Sequence, residues 1–224
     1  MTPAMPCALP LRPIWPMLLP MQWMRPRRVR PAELRVDVDP GKAPPAGTLA
    51  PVQERMRAMG PRLRDVPGLA LAPAHHFLRA RLREADGELY VYIEDLRSDR
   101  LVGYTVFNRL VELDRRADRH IRAPHSQYDT AWQRCGLASA VYRWALGRGI
   151  CLMSGARQSP GAHALWQRLA REHEAGFADV RGKRLAYLGR EVPAATLAEL
   201  HTRMFLLGQG WTLARFRREV RVDW

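Results

Sequence analysis

Apolar and polar residues alternate in three neighbouring segments of the chain, at residues 76–83, 89–94 and 102–107. Successive side chains of a β-strand point to opposite faces of a sheet, so an alternation with a period of two predicts strands with one buried face. Short polar turns, such as residues 85–87 and 97–99, separate the three segments. We therefore predict an antiparallel meander in this part of the chain.

A different order of elements follows the meander. Residues 120–128 predict another strand, residues 138–146 have the apolar spacing of a helix, and residues 150–153 form a short apolar run between glycines. A strand, a helix and a second strand in this order are typical of two parallel neighbours in a sheet. Ser159 and Pro160 predict the start of the next helix, because serine caps a helix N-terminus and proline fits the first turn.

Weaker patterns flank these elements. Residues 34–39 predict a strand, residues 52–59 predict a short helix, and residues 177–180 and 185–188 predict a hairpin. The charged segment 114–119 predicts a solvated loop. Together with the stronger patterns, these segments predict a mixed α/β (α+β) fold with a mostly antiparallel sheet.

The C-terminal region carries the capping-box pattern Thr196 to Glu199 after a proline. This pattern predicts a helix that ends at Gly208, with one apolar side formed by Leu197, Leu200, Met204 and Leu207. An arginine-rich segment at residues 215–221 follows the predicted helix.

Proline distinguishes the first part of the chain from the rest, because 15 of the 18 prolines lie in residues 1–73. Proline lacks a backbone donor and blocks helices, so we predict a poorly ordered tail at residues 1–33. The apolar run 14–24 is interrupted by Pro16 and Pro20, and it is shorter than the roughly 20 residues of a membrane-spanning helix. We therefore predict no membrane anchor.

Cysteine usage and charge narrow the class of protein. The three cysteines have neither paired nor metal-binding spacing, which favours a reducing compartment, and we predict a cytoplasmic protein without a metal site. The formal net charge of +14 favours contact with nucleic acid, an anionic membrane surface or a polyanionic small molecule. The excess of basic residues is spread along the chain, so charge alone does not choose among these partners.

Residues 133–138 connect the predicted strand 120–128 to the helix that follows it, and they include Gly136. The first N–H groups of a helix have no partner within the helix, and the helix dipole favours negative charge at this end. Such a turn is a candidate site for a phosphate group, and an ordinary connecting turn is the alternative.

This arrangement resembles the GNAT superfamily of N-acetyltransferases over about residues 89–188. Residues 89–95 and 101–106 look like the second and third strands of the family, and Gln133-x-x-Gly136-x-Ala138 is similar to its R/Q-x-x-G-x-G/A signature. Gln158-Ser159 and the spacing from Ala162 to Trp166 look like the start of the next family helix. The resemblance implies a GNAT-like mixed sheet with helices on both faces and two parallel strands that splay apart.

The resemblance also implies an acetyl-CoA site. Acetyl-CoA would lie between the splayed strands, with Tyr128 at the position whose backbone groups bind the acetyl carbonyl and the pantetheine arm. The pyrophosphate would be held by the signature turn, in which Gln133 precedes the backbone amides of Arg134, Cys135, Gly136, Leu137 and Ala138. Ser159 and Trp166 would border the same site from the next helix.

Three residues near the predicted gap are candidates for the base that deprotonates an amine acceptor: Glu112, His125 and Asp129. Trp166 departs from the family, which often has a tyrosine there to protonate the departing thiolate. An indole N–H cannot act as that acid, so another group or water would protonate the thiolate, or the activity is lost. Cys135 has no sequence-adjacent base to activate it, and the family transfers acetyl directly to the amine.

We expect a tail at residues 1–33, a GNAT-like acyltransferase domain at 34–190 and a helical, arginine-rich extension at 191–224. The expected activity is transfer of an acetyl group from acetyl-CoA to a primary amine of a small molecule, protein or peptide. The alternative is a non-catalytic basic module of the same fold that binds nucleic acid or a protein partner. Both a monomer and a homodimer are compatible with the sequence.

Overall fold

The computed structural model of the chain describes residues 49–223. The helices of this region are α1 (Ala50–Met59), α2 (Arg115–Asp118), α3 (Leu137–Gly147), α4 (Pro160–Leu169), α5 (Ala194–Leu197) and α6 (Leu213–Val220). The strands are β1 (Arg64–Asp65), β2 (Leu78–Ala85), β3 (Glu88–Asp95), β4 (Arg100–Arg109), β5 (Ile121–Tyr128), β6 (Cys151–Met153), β7 (Ala175–Arg181), β8 (Arg184–Gly189), β9 (Thr202–Leu206) and β10 (Val222–Asp223).

The strands form one mixed, mostly antiparallel sheet in the order β1-β2-β3-β4-β5-β6-β9-β7-β8-β10. The first five strands are antiparallel neighbours in chain order, which confirms the predicted meander. Val102 is an extra residue in β4, because Leu101 and Gly103 pair with the consecutive residues Glu94 and Ile93. The predicted helix at residues 52–59 is also confirmed, as α1.

The parallel pair predicted around the central helix is present, and it is short. Ile121 pairs with Cys151 and Arg122 pairs with Leu152, while β5 continues to Tyr128 and β6 ends at Met153. The two strands therefore pair near the start of β5 and separate beyond it. The mixed α/β fold with a splayed parallel pair is confirmed.

The predicted helix that ends at Gly208 is wrong. Helix α5 has four residues, and Thr202–Leu206 form β9, which lies between β6 and β7 and pairs antiparallel with both. A strand inside a sheet is apolar on both faces, so a short buried strand gives a continuous apolar run that also fits a helix. The sheet therefore continues past residue 190.

The helices cover both faces of the sheet, as expected. Leu152 and Leu206 point to the face covered by α3 and α4, where the first core cluster includes Trp144, Trp166 and Leu169. Met153 and Phe205 point to the opposite face, where the second core cluster includes Ala117 of α2 with Phe216 and Val220 of α6. We call these the α3/α4 face and the α2/α6 face.

The predicted solvated loop at residues 114–119 is wrong as well, because this segment contains helix α2. Asp114 caps α2 by accepting a hydrogen bond from the backbone N–H of Ala117 at 2.8 Å. Asp118 is buried and accepts hydrogen bonds from Leu110 N at 2.8 Å and from Arg109 Nε at 2.7 Å. These partners compensate the burial of its charge.

The predicted tail at residues 1–33 and the predicted strand at 34–39 lie outside the described residues. Among the helices of residues 49–223, none has both the length and the apolar character needed to cross a bilayer.

Candidate functional site

The separation of β5 from β6 leaves one edge of β5 facing a gap. Asp129 N donates to Val102 O at 2.9 Å, and Gly103 pairs with Tyr128. Hydrogen bonds alternate along an antiparallel ladder, so the backbone groups of Ser126 and Tyr128 point away from β4 and towards the side of β6. Because β6 pairs with the first two residues of β5, these groups lie on the open part of the strand edge.

The turn after β5 is fixed by two side chains. Asp129 accepts a hydrogen bond from Ala131 N at 3.0 Å and so caps the 3₁₀ turn Thr130–Trp132. Gln133 Nε2 donates to Tyr128 O at 3.1 Å, which ties the turn to the end of the strand. Asp129 is thus engaged in a local structural contact, whereas Gln133 helps to define the mouth of the gap.

The turn between Gln133 and α3 contains two residues in the left-handed region of backbone conformation. Arg134 and Gly136 have left-handed conformations, with φ of 61° and 82°. Alternation of left- and right-handed residues turns successive N–H groups towards one point, which is the geometry of an anion-binding nest. No side chain caps α3, so the N–H groups of Leu137 and Ala138 have no acceptor within the helix.

The side chains of the turn differ in environment. Leu137 is buried in the core of the α3/α4 face, and Ala138 packs against that core. Arg134 and Cys135 are exposed, and Cys135 Sγ lies 3.5 Å from Gln133 O. A Cβ atom added at Gly136 would meet no atom of the described residues within 4 Å.

Hydroxyl groups of β4, β5 and α3 form a connected network on the α3/α4 face. Thr105 Oγ1 is 3.1 Å from Tyr128 Oη and 2.7 Å from Ser126 Oγ, and Ser126 Oγ donates to Tyr142 Oη at 3.4 Å. Burial raises the pKa of Tyr142 to about 12 and also raises the pKa of Tyr128, so both phenols are neutral at pH 7. The network holds the middle of β5 in place.

Ser159 lies at the N-terminus of α4, and Trp166 lies on the buried side of the same helix. Ser159 Oγ accepts a hydrogen bond from Ala162 N at 3.2 Å, so it is the predicted N-cap. Trp166 is buried, and its ring meets the ring of Tyr142 edge-on with 6.3 Å between the centroids. Gln158 Oε1, in the loop between β6 and α4, is buried without a hydrogen-bond partner in the described structure.

Glu112 and His125 belong to the α2/α6 face. Glu112 forms a salt bridge of 3.2 Å with Arg203 of β9, and His125 shares the side of β5 that carries Ile121. Protein atoms displace part of the hydration of the His125 ring and lower its pKa, which keeps the accessible imidazole neutral at pH 7. The structure therefore brings Glu112 and His125 to one face and leaves Asp129 at the end of β5.

Sequence reasoning missed Arg203 and the hydroxyl network. Arg203 was assigned to a helix that is in fact β9. The apolar run 204–207 fits a buried strand as well as a helix, so it does not separate the two. Thr105 and Ser126 sit on predicted strands, but their contact depends on the register of β4 against β5, which composition and periodicity do not specify.

The sequence also gave no indication that the segment between β1 and β2 lies next to the site. The ring of Trp132 lies 5.9 Å from His75 and 6.0 Å from Phe77 between centroids, directly before the signature turn. Trp144 Nε1 donates to Pro67 O at 3.0 Å. This segment therefore packs against both the turn and α3.

Two surface cavities are lined by residues outside the gap. One of about 450 Å³ is lined mainly by residues of the segment between β1 and β2, including Leu69, Leu71 and His75. The other, of about 380 Å³, is lined by residues of α2, the β7–β8 turn and the end of α6. No group of three or more His, Cys, Asp or Glu side chains within residues 49–223 has a geometry suited to a metal ion.

Comparisons with known proteins do not name a family for this chain. No model of a known protein family matches it, and a search of curated proteins finds no match. The gap, the turn and the side chains around them are therefore the features that indicate a function.

Proposed function

We propose that the protein is an acyl-CoA-dependent N-acyltransferase that moves an acetyl group from acetyl-CoA to a primary amine. The observation that carries this proposal is that β5 and β6 separate at the end of β5 that leads, through the turn, to the uncapped N-terminus of α3. An open strand edge and an anion-binding turn thus adjoin each other. A ligand with an amide-containing arm and a pyrophosphate matches both features.

The chemistry of the available groups supports acetyl-CoA as the cosubstrate. The outward-facing N–H groups of Ser126 and Tyr128 and the carbonyl of Ser126 match the amides and the thioester carbonyl of an extended pantetheine arm, while Tyr128 O accepts a hydrogen bond from Gln133 Nε2. The backbone amides around Gly136 match the pyrophosphate, and Arg134 adds a positive charge beside them. Gln158 Oε1 is an acceptor without a partner in the described structure, which fits a polar ligand near the loop after β6.

The amine would approach the thioester from the α2/α6 face, where Glu112 and His125 can accept a proton. One of them takes a proton from the ammonium group, and the nitrogen lone pair attacks the thioester carbonyl. The C–N bond forms and the C–S bond breaks. The thiolate leaves as the thiol after it takes the second proton of the nitrogen, and the base returns its proton to solvent.

Trp166 does not replace the missing acid in this proposal. Its ring is buried against Tyr142, and an indole N–H does not release a proton to a thiolate. The nitrogen itself supplies the proton for the thiolate, directly or through water, so the reaction balances without a side-chain acid.

Calorimetric titration of the full chain with acetyl-CoA tests the proposal, with circular dichroism as a check that the protein is folded. We expect saturable binding, followed by thiol release from acetyl-CoA that depends on an added primary amine. Lysine peptides, spermidine and benzylamine would serve as acceptor probes. A folded protein that shows no binding at millimolar acetyl-CoA would refute the proposal.

A basic surface supports the second candidate function, a non-catalytic module that binds nucleic acid. Helix α2, the β7–β8 turn and the end of α6 meet around the cavity of about 380 Å³. Their exposed basic residues are Arg115, Arg116, Lys183, Arg184, Arg217, Arg218 and Arg221. The acidic residues of the same three segments are Asp114, Asp118 and Glu219, and Asp118 is buried, so positive charge dominates this surface.

Salt-dependent binding of a single-stranded RNA oligonucleotide tests the second function. Neutralisation of phosphates releases counterions, so specific use of this surface predicts an affinity that falls steeply with salt. The charge reversal Lys183→Glu with Arg221→Glu should abolish binding, while Arg62→Glu with Arg64→Glu at the opposite edge of the sheet should weaken it less. Equal losses in both variants would indicate attraction by net charge alone.

A further inference from the structure

The pair of Glu112 and Arg203 combines a largely buried arginine with a partly exposed carboxylate. The side chain of Arg203 is 12% exposed and that of Glu112 is 34% exposed, with 3.2 Å between Arg203 Nη2 and Glu112 Oε1. The carboxylate can therefore be reached from solvent, whereas the guanidinium lies behind it. Such a pair holds an accessible carboxylate in one place.

Arg203 is anchored where β6 ends. Its strand, β9, runs antiparallel to β6: Phe205 pairs with Met153, and Ser154 N donates to Met204 O at 2.8 Å. Arg203 therefore lies just beyond the last residue of β6. Arg203 Nη1 also donates to Ser154 O at 3.4 Å. The guanidinium thus spans from the residue after β6 to Glu112, beside the part of the sheet where β5 and β6 have separated.

The core of the α2/α6 face fixes the backbone before and after Glu112. Glu112 lies between Leu110 and Leu113, which are both buried in the second core cluster. The backbone N–H of Leu110 donates to the buried carboxylate of Asp118, and Leu113 pairs with Lys183 of the β7–β8 turn. The backbone around Glu112 is therefore fixed, and Arg203 fixes its side chain.

We propose that Arg203 is the positioning residue of the acyl-transfer site and that Glu112, rather than His125, accepts the proton of the ammonium acceptor. Arg203 acts through Glu112 and does not contact either substrate. The arginine orients the carboxylate towards the gap, and the amine binds on the α2/α6 face beside it. This inference rests on the proposed function.

Arg81 provides a matched control. It is also a largely buried arginine that faces a buried glutamate, with 4.0 Å between Arg81 Nη1 and Glu94 Oε2. Arg81 Nε and Arg203 Nε are both buried without a hydrogen-bond partner in the described structure. Arg81 belongs to β2, however, and β3 and β4 separate it from the gap.

The test measures acetyl-CoA affinity by calorimetry and amine-dependent thiol release for Glu112→Gln, Arg203→Met, Arg203→Lys, Arg81→Met, and the double variant of Glu112→Gln with Arg203→Met. We expect Glu112→Gln to lower kcat about 100-fold and Arg203→Met about tenfold, because both disturb proton transfer. Arg203→Lys should recover part of the loss. The double variant should be no slower than Glu112→Gln alone, and acetyl-CoA affinity should stay within about twofold.

Two results would overturn the inference while the proposed function stands. One is an unchanged kcat in Arg203→Met, and the other is a further loss in the double variant equal to that of Arg203→Met alone. A fall in kcat for Arg81→Met as large as for Arg203→Met would show that general loss of stability explains the effect. A wild-type protein that does not bind acetyl-CoA, or that binds it and releases no thiol with any amine probe, would refute the transfer function itself.

Discussion

The two halves of the sheet are assembled in different ways. From β1 to β5 each strand pairs with its neighbour in sequence, whereas in the second half β9 enters between β6 and β7 after about 50 residues of intervening chain. The two halves meet at the two-residue parallel contact of β5 with β6. A short contact between two well-packed halves leaves an open strand edge, and the candidate site lies there.

The comparison shows how a gap can persist in a stable sheet. Tyr128 keeps β5 in place from the first half, through its pairing with Gly103 and its hydroxyl contact with Thr105. Phe205 keeps β6 in place from the second half, through its pairing with Met153. Each strand beside the gap is thus held by its own half of the sheet. Neither β5 nor β6 needs further pairing with the other to stay in place.

The largest expected effect comes from the strand that joins the second half. Phe205 is 1% exposed and stacks on Phe216 with 4.9 Å between ring centroids. Phe205→Ala should lower the free energy of unfolding by about 3–5 kcal/mol in urea denaturation, because it leaves a cavity in the core. Leu200→Ala, at an exposed position of the same region, should change it by less than about 0.5 kcal/mol. A small effect of Phe205→Ala would contradict a central position for β9.

The next effect tests the support from the first half. A Cβ atom at Gly103 would lie 2.2 Å from Tyr128 Cδ1 and 2.7 Å from Gln127 O. Gly103→Ala should therefore displace Tyr128, destabilise the protein by about 1–3 kcal/mol and weaken acetyl-CoA binding. Gly161→Ala in α4, where a Cβ meets no atom within 4 Å, should be neutral or stabilising. Equal stability of the two variants would show that Tyr128 does not need this close contact.

The smallest effect concerns the turn itself. Gly136 has a φ of 82° and open space around its Cβ position, so Gly136→Ala meets backbone strain and no clash. The substitution should cost about 1–2 kcal/mol of stability and reduce acetyl-CoA affinity, since the turn must change to relieve the strain. Gly147→Ala, at the other end of α3, provides the control, because Gly147 has neither a positive φ nor a neighbour within 4 Å. Unchanged affinity in Gly136→Ala would argue against ligand binding at this turn.

The parts of the fold that depend on local pattern could be predicted. Alternation specifies β2 to β4, and Ser159 with Pro160 specifies the start of α4, because both signals lie within a few residues. The position of β9 could not be predicted, since Met204 and Phe205 become buried through partners far away in sequence. Asp118 is similar, because its burial depends on Arg109 and on the backbone of Leu110.

The residues of the candidate site also divide into those with a local sequence signal and those that depend on partners far away in sequence. The turn around Gly136 was found from its local motif, and the structure gives it the left-handed conformation that glycine favours. Of the three candidate bases, Asp129 caps a turn, His125 lies on the α2/α6 face, and Glu112 gains a partner in Arg203 that only the tertiary structure reveals.

Hydrogen exchange of the backbone amides, with and without acetyl-CoA, tests the central claim most directly. If acetyl-CoA lies between β5 and β6 with its pyrophosphate on the turn, exchange should slow at Ser126, Tyr128 and residues 136–138, and the β2–β3 hairpin should be unaffected. Binding of acetyl-CoA without protection of these amides, or protection confined to another surface, would contradict the account.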